Sequence, residues 1–420
     1  MRRFQFVLRL APFILLLVLS ACSDPEGAAE SDATIRFWHF WSEPSQREAL
    51  RELVAVYEQE SGVTVELTEL SWNDGKAKLQ AAFNSGSAPD VIELGSDWVA
   101  QFSSAGVLLE LPIDSTSVGR FVPYTIEPGL WKGRLYAYPW SVDTRVMYVN
   151  RTLLDKAGWR GPVTTMDQLL DASEMVFGSG SYGYGANGGD RHRLYKKILP
   201  FMWTYGLSGP NTGDWKGAVV SPEGKAVLQS DPNRRALEMY ASLARTGYIE
   251  TQRQLDAAFL QGKVAFWNSG SWLLPKIKAA KNMNIEAILM PGVGGRPGVS
   301  FAGGEYLAVS AGTKNTQRAR ELVQFLTSAK HALTLCERVP EAGFPADKSA
   351  YLAESLVGDP MKAVFAEQLQ HARMTPVHPQ WLDLEALVED AVVSVLLGDA
   401  SVEDALAKAQ DEAEIVTKEK

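Results

Sequence analysis

The strongest constraint on the fold is an alternation of strand and helix patterns that begins at residue 34. The runs "TIRFWHFW" (34–41), "VTVEL" (63–67) and "PDVIEL" (89–94) are rich in β-branched and aromatic residues, which predicts three strands. Between the strands, apolar side chains recur at helical spacing, and Gly62 and Gly86 follow the predicted helices, where glycine commonly ends a helix. This alternation predicts an α/β fold with a parallel sheet that helices cover on both faces.

Two loops are expected to meet in one crevice, because ligands of parallel sheets bind beyond the carboxyl ends of the strands. "HFWSEP" (39–44) follows the first predicted strand, and "GSDW" (95–98) follows the third. The residues expected to line the crevice are Trp41, Ser42, Asp97 and Trp98.

The first strand contains more aromatic rings than a strand needs for burial. Phe37, Trp38 and Phe40 are expected in the core, while the sequence indicates no role for His39. Pro44 suits the first turn of the helix that follows, and Ser42 is its predicted cap.

The middle of the chain predicts further strands and a run of helices. "GRLYAYPW" (133–140) and "TRVMYVN" (144–150) predict strands, with a crossing point at "SVD" (141–143). The segment "SGSYGYGANGGDR" (179–191) is small and flexible in composition, which predicts an unusually long loop. Helical patterns are found at 152–158, 165–177, 193–205 and 234–247, and "EAILMPGVGGRPGVSFAGGEYLAVS" (286–310) predicts a strand, a glycine-rich linker and a strand.

The N-terminus is typical of a targeting segment. Arg2, Arg3 and Arg9 precede an apolar run, Leu10–Leu19, which is too short to span a bilayer and fits a secretory signal over residues 1–21. "LSAC" (19–22) resembles the bacterial lipobox, so Cys22 is expected to receive lipid and to anchor the chain to a membrane of the cell envelope, on its periplasmic or extracellular side. Residues 22–33 predict a flexible tether. The alternative is an ordinary signal peptide that leaves an accidental cysteine.

Composition excludes several classes of function. The formal net charge of −9 becomes −12 when the signal segment leaves with its three arginines, and no Lys/Arg cluster appears, which argues against nucleic acid as a partner. The chain contains no phosphate-loop, zincin or nucleophile-elbow motif. Its five histidines, at 39, 192, 331, 371 and 378, lack metal-ligand spacing, so no metal or cofactor is predicted.

Aromatic residues recur beside single polar groups at predicted loop positions. Five segments show this association: "HFWSE", "GSDW", "YPWSVD", "NSGSW" and "HPQW". A pyranose can stack its apolar face on such a ring while its hydroxyls exchange hydrogen bonds with neighbouring polar side chains. The pattern therefore favours sugar binding.

Four longer motifs then identify a family. In order along the chain they are "SAPDVIELGSDWVAQFSSAGVLLEL", "GLWKGRLYAYPWSVDTRVMYVNRTLLDKAG", "FLQGKVAFWNSGSW" and "FAGGEYLAVSAGTKNTQRARELVQFLTSAKHA". Together they resemble the extracellular solute-binding proteins of bacterial sugar importers, the maltose-binding-protein-like family. The resemblance implies a two-lobed periplasmic-binding-protein fold of type II, in which each lobe is a doubly wound sheet and hinge crossings join the lobes. The implied N-terminal lobe comprises residues 34–142 plus 303–346, and the C-terminal lobe residues 143–302 plus 347–416.

The resemblance also implies a set of ligand contacts. Asp97 and Asp143 would accept hydrogen bonds from sugar hydroxyls, Arg145 would donate one, and Trp272 would be a stacking platform. The loop around Asp190, Arg191 and His192 departs from the family pattern and is a weaker candidate. The full set is Trp41, Ser42, Glu43, Ser96, Asp97, Trp98, Asp143, Arg145, Asp190, Arg191, Trp272, Gly303, Gly304, Glu305 and Trp381.

The expected function is that of a lipid-anchored, monomeric binding protein, not an enzyme. It would capture a sugar, with the number of rings favouring an oligosaccharide, and deliver it to the transmembrane subunits of an ABC importer. Two alternatives remain open from the residues. One is a binding protein for a cationic solute such as a polyamine or betaine, held by cation–π contacts. The other is a lipid-anchored glycosidase with a pair of carboxylates.

Overall fold

The computed structural model describes residues 34–418 except 73, 114–117, 122, 190, 192, 208–216, 222 and 281–282. The expected signal segment, the tether with Cys22, Asp190 and His192 therefore lie outside the described residues. The strands are β1 Ile35–His39, β2 Val65–Glu69, β3 Val91–Gly95, β4 Leu130–Trp131, β5 Arg134–Leu135, β6 Ala137–Thr144, β7 Val146–Asn150, β8 Tyr182–Asn187, β9 Tyr248–Glu250, β10 Val264–Ser269, β11 Ile285–Ile288, β12 Ser300–Val309, β13 Phe344–Pro345 and β14 Ala372–Arg373.

Helices cover both sheets and form the end of the chain. The α-helices are Pro44–Ser61, Gly75–Ser85, Val99–Ser104, Pro123–Ile126, Arg151–Ala157, Met166–Gly178, Tyr195–Gly206, Asp231–Arg245, Gln252–Leu260, Leu274–Ala279, Thr316–Leu326, Ala329–Arg338, Glu354–Val357, Pro360–Leu369, Trp381–Leu397 and Val402–Lys418. Short 3-10 helices are Glu127–Gly129, Ser271–Leu273, Pro340–Ala342 and Lys348–Leu352. Within the described part of the chain, no helix combines the length and apolar character needed to cross a bilayer.

The first lobe is built on a mixed sheet with the order β13-β6-β12-β3-β1-β2, and β14 also pairs with β12. β1 lies parallel to β2 and β3, as the alternation of strands and helices predicts. β12 is antiparallel to β3 and β6. The antiparallel neighbours arise because β12 enters this sheet from the other lobe, whereas a helical crossover within one sheet would return the chain parallel.

The second lobe is built on a sheet with the order β11-β7-β10-β8-β9. Its strand β8 lies inside the segment 179–191, so the prediction of a long loop there is wrong. The glycines permit close packing: a Cβ on Gly183 would lie 2.4 Å from the Ser173 carbonyl oxygen, and one on Gly185 would lie 2.8 Å from the Trp267 ring. Glycines within this strand mark the close approach of a helix and a neighbouring strand rather than a loop.

The chain crosses between the sheets at Arg145 and again between Ile288 and Ser300. β6 ends at Thr144 in the first sheet and β7 begins at Val146 in the second, which leaves Arg145 alone at the crossing. The expected lobe boundaries at residues 142 and 303 fall inside β6 and β12. After β13, helix Pro360–Leu369 packs on β7 and β11 of the second sheet and on β6 and β12 of the first, and the two C-terminal helices pack on helices of the second lobe.

The first strand places its rings on two sides of the sheet. Phe37 is fully buried in one hydrophobic cluster, and Phe40, just after the strand, is 2 % exposed in another, as expected for core residues. Trp38 is only half-buried and packs against the second of these clusters. His39 is buried, and burial lowers its pKa to about 4, so that the imidazole is a neutral core group at neutral pH.

The first helix begins at a different residue from the one expected. Glu43, and not Ser42, is the N-cap; its backbone N–H donates to Gln46 Oε1 at 3.2 Å. Pro44 takes the first helical position as predicted, and Gly62 ends the helix with a φ of 70°. Because the cap is one residue later, the exposed Ser42 is left at the carboxyl edge of the sheet.

Candidate ligand cleft

A cleft between the lobes contains most of the predicted contact residues. We call the part next to the first lobe the first chamber; it has a volume of about 430 Å³. It is lined by the loops after β1 and β3, by the hinge strands β6 and β12, and by side chains of the second lobe. Eleven predicted residues line it: Trp41, Ser42, Glu43, Ser96, Asp97, Asp143, Arg145, Trp272, Gly303, Gly304 and Glu305.

Three other predicted contacts lie elsewhere. Trp98 is 8 % exposed and packs edge-on against Phe40, which makes it a core residue beneath the cleft. Trp381 is 1 % exposed in the core of the second lobe, where Tyr195 covers it, so the structure does not place its ring in the cleft. Arg191 points to the surface and pairs with Asp390 at 2.7 Å.

The aromatic wall of the first lobe includes a residue that sequence reasoning missed. Trp72, in the loop after β2, is half-buried, lines the cleft and stacks on Phe40 with 4.2 Å between ring centroids. Trp98 supports it from below at 5.4 Å. The segment "SWND" shows the same pairing of a ring with polar residues at a strand's carboxyl end, so the rule that selected Trp41 also applies to Trp72.

The cleft floor is formed where the two hinge strands pair. Arg145 donates to Asp143 Oδ2 at 2.5 Å, and Asp143 lies opposite Gly303 in the neighbouring strand. A Cβ on Gly304 would lie 2.3 Å from the Ser141 carbonyl oxygen, so only glycine permits this spacing of the strands. The floor therefore combines a charged pair with glycine backbone that lines the first chamber.

Two carboxyl groups belong to the strands of the floor: Glu305 is half-buried and lines the first chamber, and Glu93 is fully buried. Burial, reinforced by Glu93 and Asp143, raises the pKa of Glu305 well above its usual range. Burial also raises the pKa of Glu93 to about 8. Glu93 accepts a hydrogen bond from the Phe40 backbone N–H at 2.8 Å, and that contact fixes the start of the loop that carries Trp41.

Trp272 forms the wall of the second lobe and is held by a network. Its Nε1 donates to Asp256 Oδ2 at 3.2 Å, and Asp256 Oδ1 accepts a second indole N–H, from Trp267, at 2.8 Å. The Arg145 guanidinium lies 4.9 Å from the Trp272 ring centroid. The half-buried indole is thus oriented by a carboxylate and by the hinge arginine before any ligand arrives.

The lobes also touch directly across the cleft. The Tyr195 hydroxyl, from the second lobe, donates to Asp97 Oδ2 at 3.3 Å. Arg193, from the same segment, lies 5.3 Å from the centroid of the Trp72 ring. Asp97 and Trp72 belong to the first lobe, so both contacts depend on how far the cleft is open.

A second chamber, of about 510 Å³, continues from the first toward the second lobe. Both chambers share a boundary that includes Trp72, Arg145, Arg193, Lys196 and Trp272. The second chamber alone is lined by Lys197, Arg253, Asp256 and Lys276. No candidate metal site with three or more His, Cys, Asp or Glu ligands is found among the residues that the structure describes.

Comparison with known proteins gives one consistent result. The profile of the family described as "Bacterial extracellular solute-binding protein" matches residues 52–363. Two proteins of Bacillus subtilis (strain 168) align over most of the chain. The galactooligosaccharide-binding protein is 24 % identical over 94 % of this chain and 93 % of its own. The maltodextrin-binding protein is 25 % identical over 94 % of both chains.

The fold is found among solved structures as well. The GacH receptor of Streptomyces glaucescens, known unliganded and in complex with acarbose, is 25 % identical and has a TM-score of 0.77 to this chain. The match covers 92 % of this chain and 98 % of the receptor.

Proposed function

Because this chain belongs to the bacterial extracellular solute-binding proteins and has their two-lobed α/β fold, we propose that it captures a sugar in its cleft for an ABC importer. The observation that carries the proposal is the first chamber, where two half-buried indole rings, Trp72 and Trp272, flank the carboxylates of Asp97 and Asp143. Rings that stack on a pyranose and acceptors for its hydroxyls are the two elements that sugar recognition needs. The relatives named for galactooligosaccharide and maltodextrin binding support the same ligand class.

The mechanism is closure of the lobes around the ligand. Trp72 and Asp97 belong to the first lobe and Trp272 to the second, so only a closed cleft offers all three to one sugar, while Trp41, 6 % exposed, packs in the core behind the wall. Ligand shifts the open–closed equilibrium by its preference for the closed state, and no bond is made or broken. The chain acts as a monomer, tethered through lipid on Cys22, and the closed form docks on the permease. Mass analysis of the N-terminal peptide tests the lipid.

The alternatives fit the cleft less well. A polyamine or betaine would meet the cations Arg145, Arg193 and Lys196, which line the same chamber as the acids. A glycosidase would need a free pair of carboxyl groups across the sugar, whereas the two carboxylates between the indole rings are both engaged, Asp143 by Arg145 at 2.5 Å and Asp97 by the Tyr195 hydroxyl at 3.3 Å. Both observations favour a sugar that is bound and released unchanged.

A binding screen tests the proposed function. Thermal unfolding of the purified protein is measured with galacto- and malto-oligosaccharides, with their monosaccharides, and with spermidine and betaine. We expect at least one sugar to raise the melting temperature, since ligand that binds only the folded state stabilises it. Stabilisation by amines alone would contradict the proposal that the ligand is a sugar. Release of reducing ends from an oligosaccharide would show that the protein is a glycosidase.

Gly270 provides a test of the Trp272 platform that leaves the indole in place. A Cβ at position 270 would lie 1.9 Å from a carbon of the Trp272 ring, so Gly270→Ala must displace that ring. We expect affinity for the sugar found in the screen to fall about tenfold, equivalent to about 1.4 kcal/mol. Gly312→Ala, at an exposed turn outside both chambers where an added Cβ would meet nothing within 4 Å, is the matched control for isothermal titration. Unchanged affinity in Gly270→Ala would remove the ring from the ligand contacts.

A further inference from the structure

The second chamber is lined by cationic side chains, and a neutral sugar has no charge to pair with them. We propose that it is a subsite for an anionic group, a carboxylate or phosphate, carried by the sugar that the cleft binds. This inference rests on the proposed sugar-binding function and names the class of sugar: an acidic one.

The chamber wall is strongly basic. Six cationic side chains line it, against the single carboxylate of Asp256. The six are Arg145, Arg193, Lys196, Lys197, Arg253 and Lys276. Asp256 already accepts hydrogen bonds from the indoles of Trp267 and Trp272 and from the side chains of Ser269 and Gln252, so its oxygens are occupied by neutral donors. The chamber therefore holds an excess of positive charge.

Most of these cations lack a counter-charge. Arg145 alone forms an ion pair, with Asp143. Within the described ranges, no carboxylate lies within ion-pair distance of the other five. Lys197 is 3 % exposed, and its Nζ donates to the Asn268 carbonyl oxygen at 2.6 Å. Burial of a cation without a counter-charge is costly, and a bound anion would offset that cost.

Burial, and to a smaller extent the neighbouring cations, lowers the pKa of two of these lysines. Burial lowers the pKa of Lys196. The carboxylate of Asp97 raises it in part, and the charges of Arg193 and Arg145 lower it further. Burial and the neighbouring Arg145 and Lys196 lower the pKa of Lys197 as well. Groups whose charged forms repel one another in this way favour an anion among them.

The backbone adds to the positive potential. Helix Gln252–Leu260 begins at the chamber, where Thr251, Gln252 and Arg253 line the wall. The N-terminus of a helix carries a partial positive charge, which favours anions. This helix end coincides with the unpaired cations, so two independent features point to the same ligand chemistry.

The two chambers differ in charge along the cleft. Five acidic residues line the first chamber: Glu43, Asp97, Asp143, Glu305 and Glu341. Arg253 and Lys276 line only the second. A sugar that spans both would present hydroxyl donors to the acids and its anionic group to the cations, and the reverse orientation would be repelled.

Titration of the purified protein at one fixed ionic strength tests the subsite. The double variant Arg253→Met/Lys276→Met removes two cations that line only the second chamber, and Lys263→Met/Lys314→Met removes two exposed lysines outside both chambers as the matched control. Inorganic phosphate is the first probe. Three matched pairs follow: galacturonate with galactose, glucuronate with glucose, and glucose 6-phosphate with glucose.

We expect phosphate to bind the wild type and the control equally and the double variant about tenfold more weakly, a loss of about 1.4 kcal/mol. Acidic sugars should bind more tightly than their neutral partners, and comparison of the uronates with the phosphosugar identifies carboxylate or phosphate. Phosphate that does not bind, or that binds the double variant as tightly as the wild type, overturns the subsite. Equal affinities for neutral and acidic sugars would overturn the inference that the sugar ligand carries the anionic group. If no sugar binds at all, the proposed function fails, while the phosphate titration still decides the subsite.

Discussion

Replacement of Trp272 by alanine is expected to weaken sugar binding by about 3 kcal/mol, roughly a hundredfold, without unfolding the protein. The indole is half-buried, lines both chambers and is held by Asp256 at 3.2 Å. An aromatic ring that is ordered before binding loses little entropy on contact with the ligand, so its truncation costs affinity directly. Isothermal titration with the sugar found in the screen measures the loss.

The control for this prediction is another tryptophan outside the cleft. Trp131, in β4, is half-buried and lines neither chamber, so Trp131→Ala should keep the wild-type affinity. Thermal unfolding of both variants separates a loss of contact from a loss of fold. Wild-type affinity in a folded Trp272→Ala protein would show that the ring is no part of the site.

Substitution of Glu93 by glutamine is expected to change how stability depends on pH. Glu93 is fully buried in β3, and burial raises its pKa in the folded protein to about 8. The unfolded chain releases this proton near pH 4.3, the usual value for glutamate, so between about pH 4 and pH 8 the folded state holds a proton that the unfolded state has lost. The free energy of unfolding of the wild-type protein must therefore fall as pH rises from about 4 to about 8.

Glutamine does not titrate, so the Glu93→Gln variant lacks the loss of unfolding free energy that Glu93 causes as pH rises. Glutamine is similar in shape and can still accept the Phe40 N–H bond, so we expect Glu93→Gln to be more stable than the wild type at neutral pH. From about pH 5 to pH 7.5 the wild type should lose on the order of 3 kcal/mol more than the variant, from about 1.4 kcal/mol per pH unit. Urea unfolding at several pH values measures this difference. Glu66→Gln, at an exposed position in β2, is the control, and parallel pH curves for wild type and Glu93→Gln would contradict the prediction.

Much of the architecture follows from local sequence patterns. The parallel arrangement of β1, β2 and β3 is correctly predicted because apolar spacing and helix-ending glycines depend on neighbouring residues alone. In β8, by contrast, glycine leads to a wrong prediction, because the composition around Gly183 and Gly185 suggests a loop. They are strand residues because Ser173, in the preceding helix, and Trp267, more distant in the chain, approach too closely for a side chain.

The residues of the site also include some that local motifs predict correctly and others whose position only the fold decides. Residues in recognisable motifs, such as Asp97 and Trp272, line the cleft as expected. Trp98 and Trp381 belong to equally good motifs yet are buried, since a ring beside a polar group also describes a core residue at the edge of a sheet. Trp72 was missed although its loop ends at the same edge of the sheet.

The amino-acid sequence by itself determined the first alternating strands and helices, their parallel pairing and the motifs of the family, because each depends on residues close together in the chain. Only the tertiary structure decided the charge of the second chamber. The run "RHRLYKK" (191–197) is a short basic cluster that supplies Arg193, Lys196 and Lys197, contrary to the expectation from sequence, whereas Arg145, Arg253 and Lys276 come from separate segments. Folding brings these charges into one cavity because packing of the second lobe places the hinge, one helix start and two further helices around the same space.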